Sequence, residues 1–380
     1  MSKKKEKTAL VLAGGGARGA YEAGAWQALT ELGIDIDIVT GASVGSINGA
    51  MVSQGELELA VDMWKAIETH MVFDLPEGSQ TIDYAKEMVK NKGAGASGLK
   101  ELLTQYVDEE KIRKSPIDYG LVVVELANMK PHYLFIDQID EGKLVDYIMA
   151  SSTVFPAIKA YEIDGKEYID GGFADVLPIN MAVERGATRI IAVHLNALGI
   201  VNRDSIKNAP NLTLIESKWD LGTAMIFDTA NARRIMRLGY LETMKAFGVF
   251  EGEYYTFARN TFSKTDLKMA DACAHIMDMD PLYIYTLESF LKKLEDVLSN
   301  CGEGYEEALA KFKKPKFSAL EVTEIIKDIK NIANDNIVCM AIAAHIKEKG
   351  KDSFFLTKPI AKLFPEIIMA AKFLVKYGLI

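Results

Sequence analysis

Cysteine is nearly missing from this 380-residue chain: Cys273, Cys301 and Cys339 are the only three, all in the C-terminal half. So scattered and odd a set forms no disulfide framework and no zinc-type Cys/His spacing, and it suits a reducing cytoplasm. Histidine is scarce as well, with His70, His132, His194, His275 and His345. No apolar run reaches the ~18 residues of a membrane-spanning helix. The basic start, residues 1–7, reads as a solvated tail, because the apolar run 9–13 behind it is too short for a signal-peptide core. Positive charge is in deficit: 44 Lys and Arg against 53 Asp and Glu leave a formal net charge of −9, which argues against a nucleic-acid partner. What remains, 49% hydrophobic and 26% charged, fits one large or two ordinary globular domains.

Glycine supplies the distinctive pattern. Gly14-Gly15-Gly16-Ala17-Arg18-Gly19 follows one short apolar run, and Gly41-Ala42-Ser43-Val44-Gly45 follows the next. The first offers backbone N–H groups at a strand-to-helix turn, an anion cradle. The second is G-x-S-x-G, which holds a serine hydroxyl on a strained strand-to-helix elbow. Acyl transfer needs both an oxyanion cradle and a presented nucleophile. Gly14, Gly16 and Gly19 also fit the dinucleotide fingerprint G-x-G-x-x-G, which wants an acid near the end of the second strand. Asp35 and Asp37 fall early in that strand, and the serine elbow stands where the ribose carboxylate belongs.

Periodicity places these motifs. Residues 8–13 read as a buried strand, 20–32 as a helix stopped by Gly33, 34–39 as a second strand and 46–54 as a helix. This alternation predicts an α/β fold with a mainly parallel sheet between helical layers. Adjacent parallel strands would set both helix starts on one sheet edge, with Ser43 near the Gly15 and Gly16 amides. Helices are expected over 56–69, 99–107 and 143–152, and paired strands over 119–126 and 132–136. Residues 92–98 read as a flexible loop and candidate lid. A hairpin over 158–163 and 166–169 turns on Asp164-Gly165, which suits type I′. A helix after Pro178, strand 189–195, a polar stretch 202–211, strand 212–215 and helix 228–247 follow. From about Asp266 helical patterns recur without a comparable strand.

A nucleophilic serine needs a base. His194 lies in the apolar run Ile191-Ala192-Val193-His194-Leu195, which reads as a core strand. No histidine occupies the loop after the last strand that an ordinary α/β-hydrolase uses. Asp170 follows a strand and precedes Gly171-Gly172, which let chain and substrate approach closely. Its residues alone leave a catalytic carboxylate and a plain turn aspartate equally open. A desolvated carboxylate is able to take a serine proton.

The motifs at 14–19, 41–45 and 170–172, in this order and spacing, resemble the patatin-like phospholipase family, bacterial-type members in particular. Ala150-Ser151-Ser152-Thr153-Val154-Phe155-Pro156, the 164–165 hairpin and Val176-Leu177-Pro178 are similar too, so that the resemblance spans about residues 8–196. It implies a three-layer α/β/α catalytic domain over 8–247, with core motifs in 10–183, and a mostly helical C-terminal region over 255–380 without counterpart. It also implies a serine acyl hydrolase that cleaves fatty-acyl esters of (phospho)lipids through a Ser43–Asp170 dyad without histidine. Gly14, Gly15, Gly16 and Arg18 would form the oxyanion hole, supported by Gly19, Gly41, Gly45, Gly171 and Gly172. Arg18 either steadies the loop or meets a phosphate. Phe173-Ala174-Asp175 departs from the family's pattern. No cofactor and no metal are implied. The rival readings are a nucleotide-binding module on the 14–19 turn and a catalytically inactive lipid-binding protein.

A lipid ester substrate brings a membrane surface into view, at the inner face for a cytoplasmic protein. The segment 366–380 is apolar nearly all round, which favours a core-packed terminal helix over an interfacial one. The basic stretch 311–317 is a second candidate for headgroups, though it reads first as a solvated loop. Acyl chain, headgroup and oligomeric state stay open.

Overall fold

The computed structural model describes residues 6–74, 95–300, 305–311, 319–330 and 334–380. The tail lysines before residue 6, the start of the 92–98 loop and the 311–317 stretch beyond Lys311 lie outside the described residues. The chain divides into two compact units, Met1–Ala246 and Phe247–Ile380.

The first unit is organised by an eight-stranded sheet. Its strands are β1 (Thr8–Leu12), β2 (Ile38–Ala42), β3 (Asp118–Glu125), β4 (Lys130–Phe135), β5 (Tyr161–Ile163), β6 (Lys166–Asp170), β7 (Arg189–His194) and β8 (Leu212–Glu216). They lie in the order β5-β6-β3-β2-β1-β7-β8, with β4 also on β3. The run β3-β2-β1-β7-β8 is parallel, whereas β4, β5 and β6 pair antiparallel. Central strands covered on both faces need unbroken apolar runs, and Ala9–Leu12, Leu121–Val124 and Ile190–Val193 are buried throughout. Helices α1 (Ala20–Glu31), α2 (Val44–Gln54), α3 (Leu57–Ala66), α4 (Leu144–Ser151) and α5 (Thr229–Ala246) belong to this unit.

Local expectations hold where local chemistry decides. The 164–165 hairpin turns with Asp164 at φ 51° and Gly165 at φ 78°, the two left-handed residues of a type I′ turn. Elsewhere the boundaries move. The second strand covers 38–42 rather than 34–39, because Ile34 N–H closes the end of α1 on Leu29 O and pairing with β1 begins only at Asp37, whose N–H meets Thr8 O. The expected helix 56–69 breaks at Ile67, which is extended, and a short helix restarts at Thr69. The polar stretch 202–211 contains a helix, Arg203–Asn208, capped by the Asn202 side chain.

In the second unit a core of aromatic rings includes Phe257, Phe262, Phe290 and Phe373, packed edge to face. Ile367, Ile368, Ala370, Ala371, Phe373 and Leu374 of the terminal helix Pro365–Lys376 are buried, so this helix is core-packed. Three short strands, Phe250–Glu251, Thr256–Ala258 and Ile284–Tyr285, form a small sheet among the helices. Ile284–Tyr285 lies past residue 266, where only helices were expected; two residues are too few to display a period of two. Among the described residues, no helix is long and apolar enough to cross a membrane.

Candidate active site

Strand register brings the serine and the aspartate together. On one side of β3, Ala42 of β2 partners Val122; on the other, Asp170 of β6 partners Val123. The strands β2 and β6 run in opposite directions on the two flanks of β3, so their C-terminal ends stop at the same level, beside two neighbouring β3 residues about 3.8 Å apart along the chain. Ser43 follows Ala42 directly. Residues 127 apart in sequence thus reach one point through a single strand between them.

Ser43 joins β2 to α2 at φ 53° and ψ −129°, a conformation unfavourable for any residue with a Cβ. Strain of this kind costs of order 1–3 kcal/mol and persists only where the surroundings impose it. Those surroundings are visible. Ser43 N–H donates to Ser151 Oγ (3.0 Å), whose hydroxyl donates to Val122 O (2.7 Å). Ser46 binds Ser43 O through both Oγ (2.6 Å) and N–H (2.8 Å). The glycines of the elbow allow a close crossing: a Cβ at Gly41 would lie 2.1 Å from Gly45 O, and one at Gly45 would lie 2.4 Å from Leu12 O. The positive end of α2 faces the serine.

Asp170 is buried at the end of β6. Its N–H donates to Thr153 O (2.9 Å), and its Oδ1 accepts Gly172 N–H (2.7 Å). Oδ2 is buried and accepts no hydrogen bond among the described residues. Burial raises the carboxyl pKa from 3.8 to about 6, with the nearby Ser43 hydroxyl and the Gly172 amide pulling it partly back. A Cβ at Gly171 would stand 2.3 Å from Val122 O, so this turn needs glycine to lie against β3.

The 14–19 turn differs in detail from expectation. Gly14 N–H donates to Val176 O (3.0 Å), Ala17 N–H to Ala224 O (2.7 Å) and Arg18 N–H to Gly15 O (3.2 Å). Among the described residues, the amides of Gly15 and Gly16 have no acceptor. Gly14 and Arg18 are therefore not free oxyanion donors, because the fold has already engaged their N–H groups. Gly14 instead packs beside Ser43, where an added Cβ would be 3.2 Å from the serine Cβ. The Arg18 guanidinium donates to Leu195 O, Asn196 O and Gly222 O, clasping two loops rather than reaching for an anion. Gly19 lets Val44 and Trp64 close in, since a Cβ there would meet Val44 Cγ2 at 2.5 Å and the Trp64 ring at 2.7 Å.

Two cavities meet at Ser43. One is a narrow slot of about 60 Å³ lined by Ile47, Met63, Trp64, Phe73, Leu99 and Phe227 among others. The other is an open cleft of about 850 Å³ that holds Ser43, Asp170, Gly15, Gly16 and Arg18. The first has room for a few apolar carbons, and the second for a polar or bulky group. Among the described residues no group of three or more His, Cys, Asp or Glu side chains is placed to hold a metal ion. His194 lies in β7 with its Nδ1 3.6 Å from Glu216 and is not part of either cavity's lining.

Sequence reasoning missed the residues that brace the site. Asn48 Nδ2 donates to Gly19 O (3.0 Å) and to Glu22 Oε2 (2.7 Å), while Asn48 Oδ1 accepts Trp64 Nε1–H (2.9 Å). This ties the glycine turn to a wall of the slot. Burial holds the Glu22 carboxyl well above the usual carboxylate range. A polar Asn and Glu at buried helix positions are the sequence trace of such a network, but their partners are not readable from spacing. Ser151 is missed in the same way.

Residues 10–183 match the family model described as patatin-like phospholipase, and the sheet with its helical layers is the patatin fold. The chain is 28% identical over 234 residues to an uncharacterized NTE family protein of Mycobacterium bovis, covering 60% of each. It is 26% identical over 201 residues to "Lysophospholipase nte1" of Aspergillus terreus, covering 50% of this chain and 12% of that one. The match thus spans less than two thirds of the length of these relatives. Among solved structures, VipD from Legionella pneumophila aligns with a TM-score of 0.41 and 13% identity, over 99% of this chain and 92% of that one.

Proposed function

We propose that the patatin-like domain is a serine acyl hydrolase acting on fatty-acyl esters of lipids. The observation that carries this reading is a serine held at a strained elbow beside a buried carboxylate whose Oδ2 is otherwise unpaired. Ser43 Oγ attacks the ester carbonyl as its proton passes to Asp170 Oδ2. The Gly15 and Gly16 amides hold the oxyanion, helped by the dipole of α2. Collapse of the tetrahedral intermediate breaks the ester bond, and the alcohol leaves with the proton from Asp170. Water then attacks the acyl-serine, Asp170 takes its proton, and the fatty acid departs as Ser43 regains its hydrogen. Ser43 and Asp170 act as a unit, so loss of either nearly abolishes turnover.

Support for a lipid substrate comes from the apolar slot beside Ser43 and from the names of the relatives. The first carbons of the acyl chain enter the slot, and the rest of the substrate lies in the open cleft. Labelling with a serine-reactive phosphonate, mass mapping and product analysis on mixed lipids test the proposal. A label on Ser43 and fatty-acid release are expected. Undiminished esterase activity in Ser43→Ala would refute it.

A further inference from the structure

Three exposed apolar side chains line the open cleft, and two more stand next to cleft-lining residues in the chain. Leu198 is 102% exposed and Ile200 56%, while Val154, Phe155 and Phe173 are each more than a third exposed. Single exposed apolar residues are ordinary on a protein surface, but a convergent set marks a contact. These come from three separate loops, after α4, after β6 and after β7. Val154, Phe173 and Leu198 line the same cleft as Ser43 and Asp170. Phe155 follows Val154 in the chain, and Ile200 follows Gly199, which also lines the cleft.

The loops are tied to the turns of the site. Ile200 N–H donates to Gly172 O (3.0 Å), Val176 N–H donates to Ile200 O (2.8 Å), and Asp170 N–H donates to Thr153 O (2.9 Å). The apolar lip is thus held in a fixed relation to the aspartate, and little ordering entropy opposes its use as a contact surface.

We propose that this lip docks on the surface of a phospholipid bilayer and lets an acyl chain pass from the leaflet to the slot without crossing water. The proposal rests on the acyl-hydrolase reading. The occupant follows from continuity: Val154, Phe173 and Leu198 line the cleft, and the cleft shares Ser43 and Val154 with a slot whose lining is almost wholly apolar. Charge points the same way. A formal net charge of −9 disfavours attraction to anionic headgroups, so apolar insertion carries the docking and a zwitterionic surface suffices.

Flotation of the full chain with phosphatidylcholine vesicles, at low and high salt, tests this. The wild type is expected to float equally at both. Leu198→Asp and Ile200→Asp should each weaken vesicle binding roughly ten- to a hundredfold, the loss that an unburied Leu or Ile implies. Ile200→Asp, outside the cleft lining, should hydrolyse a water-soluble short-chain ester at the wild-type rate yet lose activity on vesicles. A tryptophan at the tip, Leu198→Trp, should be quenched by brominated acyl chains. Ser43→Ala should bind vesicles normally and hydrolyse neither substrate; hydrolysis by that variant would overturn the catalytic reading while leaving the docking result intact. Undiminished vesicle binding in both lip variants overturns the proposal. So does an equal loss of soluble and vesicle activity, or a change from dimer to monomer in Ile200→Asp with binding unchanged.

Discussion

Replacing Asp170 with Asn should abolish the proposed hydrolysis and make the domain more stable, by an amount that depends on pH. Burial raises the folded-state pKa of Asp170 from 3.8 to about 6. At 1.36 kcal/mol per unit, an ionised Asp170 costs the folded state up to about 3 kcal/mol. The sign follows from the raised pKa. Below about pH 4 the carboxyl is protonated in both states and there is no cost. Between about pH 4 and pH 6 the folded state binds more protons than the unfolded chain, so the wild type loses stability as pH rises. Above pH 6 the cost is full. Asn has no ionised form, and its Oδ1 is able to keep the Gly172 amide. Asp170→Asn should therefore match the wild type near pH 4 and exceed it by up to about 3 kcal/mol at pH 8. Denaturant unfolding followed by tryptophan fluorescence measures this in the right unit, since Trp26, Trp64 and Trp219 all lie before residue 247. In parallel, wild-type kcat/KM should rise through pH ~6 with unit slope, reporting the base of the free enzyme. A stability difference that is equal at pH 4 and pH 8, or an Asn variant weaker at pH 8, would refute the argument.

Three further outcomes follow from the geometry. Ser43→Gly should be more stable than Ser43→Ala by about 1 kcal/mol, the reverse of the usual order, because only glycine is at ease at φ 53°; urea midpoints of the two variants decide it. Gly16→Ala would place a Cβ 2.2 Å from Ala224 O at φ 55°, displacing a free amide; kcat on a soluble ester should fall roughly a hundred- to a thousandfold. Asn48→Leu leaves Glu22, Trp64 and Gly19 O without their partner and should destabilise the domain by roughly 3 kcal/mol or more, with Glu22→Leu in the same chain recovering part of it; unfolding curves of the single and double variants measure the coupling.

The parts of this molecule that are legible in its sequence are those that neighbouring residues determine. A glycine pair at 41 and 45 around Ser43 announces a strand passing sharply into a helix, because the close crossing of that turn leaves no room for a Cβ at either glycine. Asp164-Gly165 announces its hairpin because both positions need left-handed backbone. The apolar runs announce buried strands, and their alternation with helices announces a parallel sheet. Boundaries are less legible: the second strand starts at Ile38 because pairing with β1 starts there, not because hydrophobicity does.

The sequence by itself determined the glycine turns, the strained serine and the order of the main strands and helices of the first unit, all consequences of steric limits and periodicity over a few residues. Tertiary structure decided how those pieces combine. Val122 and Val123 of β3 choose the partners that bring Ser43 to Asp170, and burial at that junction lifts the carboxyl pKa. The hydrogen bonds of Gly14, Ala17 and Arg18 with Val176, Ala224 and Gly15 leave the two amides between them available. Three loops distant in sequence raise an apolar lip around the cleft. Each of these depends on contacts between residues far apart in the chain, and such contacts carry no local signature.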